Sequence, residues 1–163
     1  MKKVVILTIL IFALEVLDNS MVPFFSVYGY YPSLLFLFVI SYSIINDRWS
    51  ALKVGLISGA LQDLFFINGF GVNMLVNMLL CVLAGEIGRN LFKEKRLIPI
   101  LTILGLTFFK GILVYIILYF IGIKVMLYSS VFVAIYSFVL AIFVYKPIYR
   151  LCQKPYMIKK WKF

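Results

Sequence analysis

Long apolar blocks separated by short polar stretches make up most of this 163-residue chain. The six blocks cover about residues 4–21, 32–46, 50–67, 70–88, 97–121 and 125–146. A helix needs roughly 20 apolar residues to cross ~30 Å of hydrocarbon, with a range of about 17–25. Five blocks meet this length, and the second is short enough that we expect a thin, partly buried span. The pattern predicts an all-α integral membrane protein with about six transmembrane helices in a single domain, residues 1–163.

The residue composition excludes an ordinary soluble domain. Hydrophobic residues make up 64% of the chain, whereas soluble globular domains contain roughly 45–50% apolar residues. A soluble fold of this size would leave large apolar patches on its surface, because one core has no room for so many side chains. We therefore expect the solvent of this chain to be lipid.

Positive charges predict the orientation in the membrane. The sequence has 16 Lys and Arg residues and a formal net charge of +10. With the N-terminus inside, fourteen of them fall in inner regions, Lys124 alone falls in an outer loop, and Lys110 falls within the fifth block. Cytoplasmic loops of membrane proteins carry such an excess of Lys and Arg. We expect both termini in the cytoplasm, and a basic tail, 147–163, that lies against anionic lipid of the inner leaflet.

Four ionisable residues fall inside the apolar blocks away from their inner ends, where an unpaired charge costs at least ~3 kcal/mol on insertion scales. They are Glu15, Asp18, Asp63 and Lys110. At ~1.5 Å per residue from the inner helix ends, Glu15 and Lys110 lie at similar depth, and Asp63 lies not far from them. We expect a buried charge cluster that joins helices 1, 3 and 5. Its simplest role is an ion pair that fixes helix packing. The alternatives are contact with a partner, side chains that extend to the membrane interface, and a proton relay or transport role.

The third and fourth blocks combine a face of small residues with polar side chains. The residues concerned are Gly55, Gly59, Asp63, Gly71, Asn73 and Asn77. The first two are four positions apart on helix 3, a spacing that lets another backbone approach closely. The others flank a tight joint at 68–69, so we expect Asp63 and the two asparagines to meet near its outer end. This polar hairpin either stabilises the bundle or receives the transmembrane helix of a partner.

The sequence contains no catalytic or metal-binding constellation. Histidine is absent, which removes the commonest general base and the commonest metal ligand. There is no phosphate loop, no nucleophile elbow and no zinc-type spacing of the two cysteines. We therefore expect no enzyme activity, no cofactor and no metal. Because the basic residues lie in short clusters between apolar blocks, nucleic acid is not expected as a partner either.

The helix 3–4 region resembles the rod-shape-determining MreD family of bacteria. The resemblance rests on GLISGALQDLFF, residues 55–66, followed by GFGVN, residues 69–73. Within it Asp63, Gly71 and Asn73 match the motif directly. The resemblance implies a non-enzymatic scaffold subunit of the elongation complex in the bacterial cytoplasmic membrane. Members bind the bitopic protein MreC, and through it they link MreB filaments to the glycosyltransferase RodA and a class B penicillin-binding protein.

The family in turn resembles the substrate-binding S-component of energy-coupling-factor (ECF) vitamin transporters in its six-helix fold. This likeness supplies an alternative from another class, a small-molecule binding subunit of a transporter. A proton-coupled carrier that uses Lys110 with Glu15 or Asp63 is a third hypothesis, and a homodimer is left open. Short outer loops weigh against transport. A neighbouring mreB–mreC gene pair would favour the first function, and a riboswitch-controlled vitamin gene would favour the second.

Overall fold

The computed structural model describes residues 2–27, 29–65, 70–90, 97–123, 128–155 and 157. Within these ranges the chain forms six α-helices, a short 3-10 helix at Val22–Phe25 and no extended strand. The helices are α1 (Lys2–Ser20), α2 (Leu34–Ile45), α3 (Arg48–Phe65), α4 (Val72–Asn90), α5 (Leu97–Ile121) and α6 (Tyr128–Cys152). The joint expected at 68–69 lies outside the described residues.

Helix α2 forms the centre of the bundle. Every residue from Leu35 to Ile44 is buried, and α2 contacts each of the other five α-helices. Apart from Ser41, Tyr42 and Ser43 its residues are apolar, as is typical of a helix enclosed by protein. The Ser41 and Ser43 hydroxyls donate to backbone carbonyls of α2 itself. With 12 residues, α2 is only ~18 Å long. The short second block is therefore an enclosed central helix and not the partly buried span that its length suggested.

Glycine lets α3 and α4 pack with their backbones in close approach. A Cβ atom added to Gly55 would lie 2.8 Å from the carbonyl oxygen of Asn77, and one added to Gly59 would lie 2.5 Å from that of Asn73. Real side chains do not tolerate such distances without movement of the neighbouring backbone. The small-residue face of α3 is therefore occupied by α4 of the same chain, and it is not free to receive the helix of a partner.

Two helix ends differ from those read in the sequence. Helix α2 begins at Leu34 and not at Pro32, because the Ser33 hydroxyl caps it by accepting a hydrogen bond from the Phe36 N–H at 3.0 Å. Helix α6 continues through Pro147 to Cys152, although an interior proline costs about 3 kcal/mol.

Packing explains why α6 continues past the proline. Tyr145, Ile148 and Cys152 are all buried, and their spacing of three and then four residues places them on one face of the helix. Met157, beyond the helix, is buried in the same core. The first six residues of the segment read as a basic tail, 147–152, therefore belong to the helix; 156 and 158–163 lie outside the described residues.

Large apolar side chains cover the outside of the bundle. On α1 the exposed set includes Val4, Val5, Ile9 and Phe12, and on α5 and α6 it includes Leu101, Phe120, Ile135 and Phe143. Three helices of the described chain are long and apolar enough to cross a membrane: Val72–Asn90, Leu97–Ile121 and Ser130–Cys152. An apolar surface of this extent is stable in lipid and not in water. The protein is an integral membrane protein.

Candidate functional site

Asp63, near the end of α3, caps the start of α4. Its carboxylate accepts backbone N–H groups from Gly71, Asn73 and Met74, each at 2.9 Å. An N-cap side chain normally accepts the N–H groups of the second and third helical residues. Gly71 occupies the N-cap position of α4 but has no side chain, so Asp63 supplies the acceptor from the preceding helix. Its negative charge also lies at the positive end of the α4 dipole.

Asp18, near the end of α1, caps α2 in the same way. Its Oδ1 accepts the Leu34 N–H at 2.8 Å, and its Oδ2 accepts the Leu35 N–H at 3.0 Å and the Ser33 hydroxyl at 2.8 Å. Each aspartate thus binds the free N–H groups that begin the next helix. Both caps lie at the same end of the bundle, which we call the capped end.

Gln62 connects three further helices at the capped end. Its Nε2 donates to the Ser33 hydroxyl at 2.9 Å, and its Oε1 accepts from Asn77 Nδ2 at 2.8 Å and from Lys110 Nζ at 3.0 Å. An amide can do this because it carries donors and an acceptor in one group. One side chain on α3 therefore links the start of α2, the second turn of α4 and the middle of α5.

Lys110 has no carboxylate partner at contact distance within the described residues. Its Nζ donates to Gln62 and lies 4.2 Å from the centroid of the Phe36 ring, a cation–π arrangement. The ion pairs of the described chain include Glu86–Arg89 but none that involves Lys110. This half-buried charge is thus stabilised by an amide oxygen and an aromatic face, and not by the direct ion pair expected from the sequence.

Glu15 has one carboxylate oxygen without a partner. Its Oε1 accepts from Asn19 Nδ2 at 2.9 Å, whereas its Oε2 is buried and has no hydrogen-bond partner within the described chain. The residue is only 3% exposed. A buried oxygen in this state costs roughly 1–3 kcal/mol, so the site is incomplete at this atom.

These polar side chains line one cavity of about 300 Å³ at the capped end. The lining residues are Glu15, Asp18, Asn19, Tyr31, Ser33, Gln62, Phe65, Asn73 and Lys110. They come from the ends of α1 and α3, the starts of α2 and α4 with the residues before α2, and the middle of α5. The cavity therefore lies where the first two helix hairpins and α5 meet.

The structure separates the predicted charge cluster into two parts. Glu15, Asp18 and Lys110 line the cavity, while Asp63 binds the start of α4. Of the two asparagines, Asn73 lines the cavity and Asn77 contacts Gln62. Gly55 and Gly59 lie beneath them at the α3–α4 contact.

Gln62 and Ser33 were not among the predicted site residues. The signal for Ser33 was present in the sequence, since a serine just before an apolar run is typical of an N-cap. A glutamine within an apolar block indicates a hydrogen-bonding group in the bundle, but the sequence does not reveal the partners of Gln62, because they lie on three other segments.

The cavity brings several kinds of polar group together. It offers carboxylates, amides, a hydroxyl and an ammonium group. The Ser33 hydroxyl donates to Asp18 at 2.8 Å, but both groups also accept N–H groups at the start of α2, so this pair belongs to the helix cap. The described residues also contain no group of three or more Cys, Asp or Glu side chains able to hold a metal ion. The arrangement can hold a small polar group or stabilise the bundle.

Comparison with protein families finds a match over nearly the whole chain. The family model described as rod shape-determining protein MreD matches residues 1–155 of the 163. No curated protein and no solved structure matches the chain. The matched range includes both capping aspartates, Gln62 and every residue that lines the cavity. The assignment therefore covers the whole bundle and not only the helix 3–4 motif.

Proposed function

Because this chain belongs to the MreD family of rod shape-determining proteins, we propose that it is a non-enzymatic scaffold subunit of the bacterial elongation complex. In this role it binds MreC and helps to couple MreB filaments to peptidoglycan synthesis by RodA and a class B penicillin-binding protein. The observation that carries the proposal is the use of its buried aspartates. Asp18 and Asp63 each accept N–H groups from the following helix, which makes them structural groups of a fixed bundle.

The proposed scaffold crosses the cytoplasmic membrane six times with both termini inside. Inward-facing charges support a membrane-spanning α1, because Glu15 and Asp18 are buried in the bundle while the outer face of α1 is apolar. The other five helices enclose α2, so its short length does not expose polar backbone to lipid.

Basic residues support the same orientation. At the end of the bundle opposite the caps, Arg48 begins α3, and Arg89 and Arg150 lie in the last turns of α4 and α6. A cytoplasmic position for this end agrees with the excess of Lys and Arg on inner loops, and it would bring the basic groups against anionic lipid.

The partner surface is proposed to be an outward apolar face of the bundle. Because α4 occupies the small-residue face of α3, Gly55 and Gly59 support the scaffold from within. The faces left for the transmembrane helix of MreC, or for a second copy of the chain, are those of α1, α5 and α6, where large apolar side chains are exposed.

Affinity purification of the tagged protein from native membranes in mild detergent, followed by mass spectrometry, tests the proposal. Recovery of MreC with cell-wall synthases above an unrelated tagged six-helix protein is the expected result. Recovery of ATPases with a coupling membrane subunit would contradict it and favour the S-component-like transporter subunit, for which the polar cavity is the supporting observation.

A further inference from the structure

The cavity at the capped end holds two groups of opposite charge with unused hydrogen-bonding capacity. Glu15 is 3% exposed and lines the cavity, and its Oε2 accepts no hydrogen bond within the described chain. The ammonium group of Lys110 has three N–H donors, and one of them binds Gln62. Another side of the group lies over the Phe36 ring, and the described residues accept no second hydrogen bond from it, so the ammonium group can still donate to a ligand.

The remaining charged groups at this end are already compensated. Both oxygens of Asp18 accept hydrogen bonds at the start of α2. Both oxygens of Asp63 accept hydrogen bonds at the start of α4. A ligand that supplies the missing partners in the cavity must therefore donate a hydrogen bond to Glu15 and accept one from Lys110. A small zwitterion with a primary ammonium group next to an acidic group has this chemistry.

A second, apolar cavity adjoins the first. It has a volume of about 200 Å³ and shares Tyr31, Ser33, Asn73 and Lys110 with the polar one. It continues between α5 and α6, where Val114 and Val133 contribute to its wall. An acidic group bound at Lys110 would thus have apolar space on its other side. This juxtaposition suits an amphiphile with its headgroup in the polar cavity and the first methylene groups of a hydrocarbon chain in the apolar one.

We propose that the capped end binds a zwitterion in which a primary ammonium group contacts Glu15 and a phosphate or carboxylate contacts Lys110. The chemistry fits an ethanolamine phospholipid, and it also fits a free zwitterion such as phosphoethanolamine or alanine. The apolar cavity favours the phospholipid. The polar cavity, at about 300 Å³, lies at the lower end of the roughly 300–1,000 Å³ of small-molecule sites. Binding there is separate from the scaffold role, because neither requires the other.

Native mass spectrometry of the full chain after delipidation tests the lipid source. Phosphatidylethanolamine, phosphatidylcholine and phosphatidylglycerol with identical acyl chains are titrated in parallel. Phosphatidylethanolamine should bind about tenfold more tightly than the other two, which is the effect of ~1.4 kcal/mol. A quaternary ammonium group cannot donate a hydrogen bond to Glu15, and glycerol carries no positive charge.

Variants locate the binding. Glu15→Gln should remove the preference for ethanolamine, and Lys110→Met should weaken all three phospholipids about tenfold or more. Glu86→Gln is the matched control, because Glu86 is an exposed carboxylate on α4 that pairs with Arg89 and lies outside both cavities. It should leave the three affinities unchanged.

A second experiment, with soluble zwitterions, distinguishes a phospholipid from a free ligand. It uses only the wild type, so it does not depend on the folding of a variant. Thermal unfolding of the wild type is followed with millimolar phosphoethanolamine, alanine or, as a control, ethanol. Stabilisation by the zwitterions without a phospholipid preference would identify a free ligand at the same site. Equal binding of the three phospholipids together with no stabilisation by either zwitterion would overturn the proposal.

Discussion

Removal of the Asp63 carboxylate should destabilise the bundle strongly, because this one side chain binds three backbone N–H groups. The informative substitutions are Asp63→Leu, which removes every acceptor, and Asp63→Asn, which keeps one acceptor oxygen in nearly the same volume. The bonds to Gly71, Asn73 and Met74 are each 2.9 Å long, and that to Asn73 is buried.

The expected loss follows from the burial of the three donors. A buried N–H group left without an acceptor costs roughly 1–3 kcal/mol. We assign the middle of this range to the buried N–H of Asn73. We assign about half of that cost to the N–H of Gly71 and to that of Met74, because both are only partly buried. Asp63→Leu should therefore lower the free energy of unfolding by about 4 kcal/mol. Asp63→Asn should lower it by about 2 kcal/mol, since its amide nitrogen faces N–H groups.

Thermal unfolding in mild detergent, followed by fluorescence-detected size exclusion, measures the effect. A change of 1 kcal/mol shifts Tm by about 2–4 °C for chains of 150–250 residues. Asp63→Leu should therefore lower Tm by roughly 8–16 °C, and Asp63→Asn by about half as much. The control Glu86→Gln removes an exposed pair, whose side chains are 51% and 60% exposed, and should lower Tm by less than about 3 °C.

The result that would refute this reasoning is a Tm for Asp63→Leu within the range of the Glu86→Gln control. Water or another side chain would then satisfy the α4 donors without Asp63. An intermediate loss that is equal in Asp63→Leu and Asp63→Asn would instead mean that the charge, through the α4 dipole, matters more than the individual hydrogen bonds.

Three further predictions concern the same end of the bundle, each measured by the same Tm assay. Gly59→Ala should cost about 1–3 kcal/mol by overpacking against α4. The control Gly105→Ala should be neutral, because a Cβ added there meets nothing within 4 Å. Equal effects of the two substitutions would contradict the close packing of α3 and α4. Gln62→Leu should cost about 2 kcal/mol because it leaves Lys110 and an asparagine of α4 without their acceptor, and the loss should largely vanish in a background of Lys110→Met if the lysine dominates it. Gly71→Ala should cost about 1–2 kcal/mol because Gly71 has φ +97°, a left-handed conformation that side chains disfavour; an unchanged Tm would contradict that backbone conformation.

The helical architecture was predictable because lipid imposes a simple rule. A segment in lipid must be apolar and must form its backbone hydrogen bonds within itself. The six apolar blocks therefore predict helices, and the described residues form six. The helix ends were less predictable. Pro147 normally stops a helix, but burial of Ile148 and Cys152 keeps α6 intact, and that packing depends on contacts with other helices.

The sequence indicates at which end of the bundle the polar residues lie, but not which groups they bind. A carboxylate near the end of α1 and another near the end of α3 must come to the same end of an up-and-down bundle. The sequence does not reveal what these carboxylates bind, because the positive ends of α2 and α4 compete with Lys110 as partners. In the structure the helix ends bind Asp18 and Asp63, and Lys110 is left with Gln62.

The scaffold role is tested most directly by what its removal does to the complex around it. The measurement is the amount of RodA that co-purifies with tagged MreC, in cells of the native host with and without this chain and at equal levels of both proteins. The proposed function predicts that loss of the chain lowers RodA recovery severalfold and that re-expression restores it. Equal recovery in the two strains would show that MreC reaches the synthase without this protein and would contradict the scaffold role.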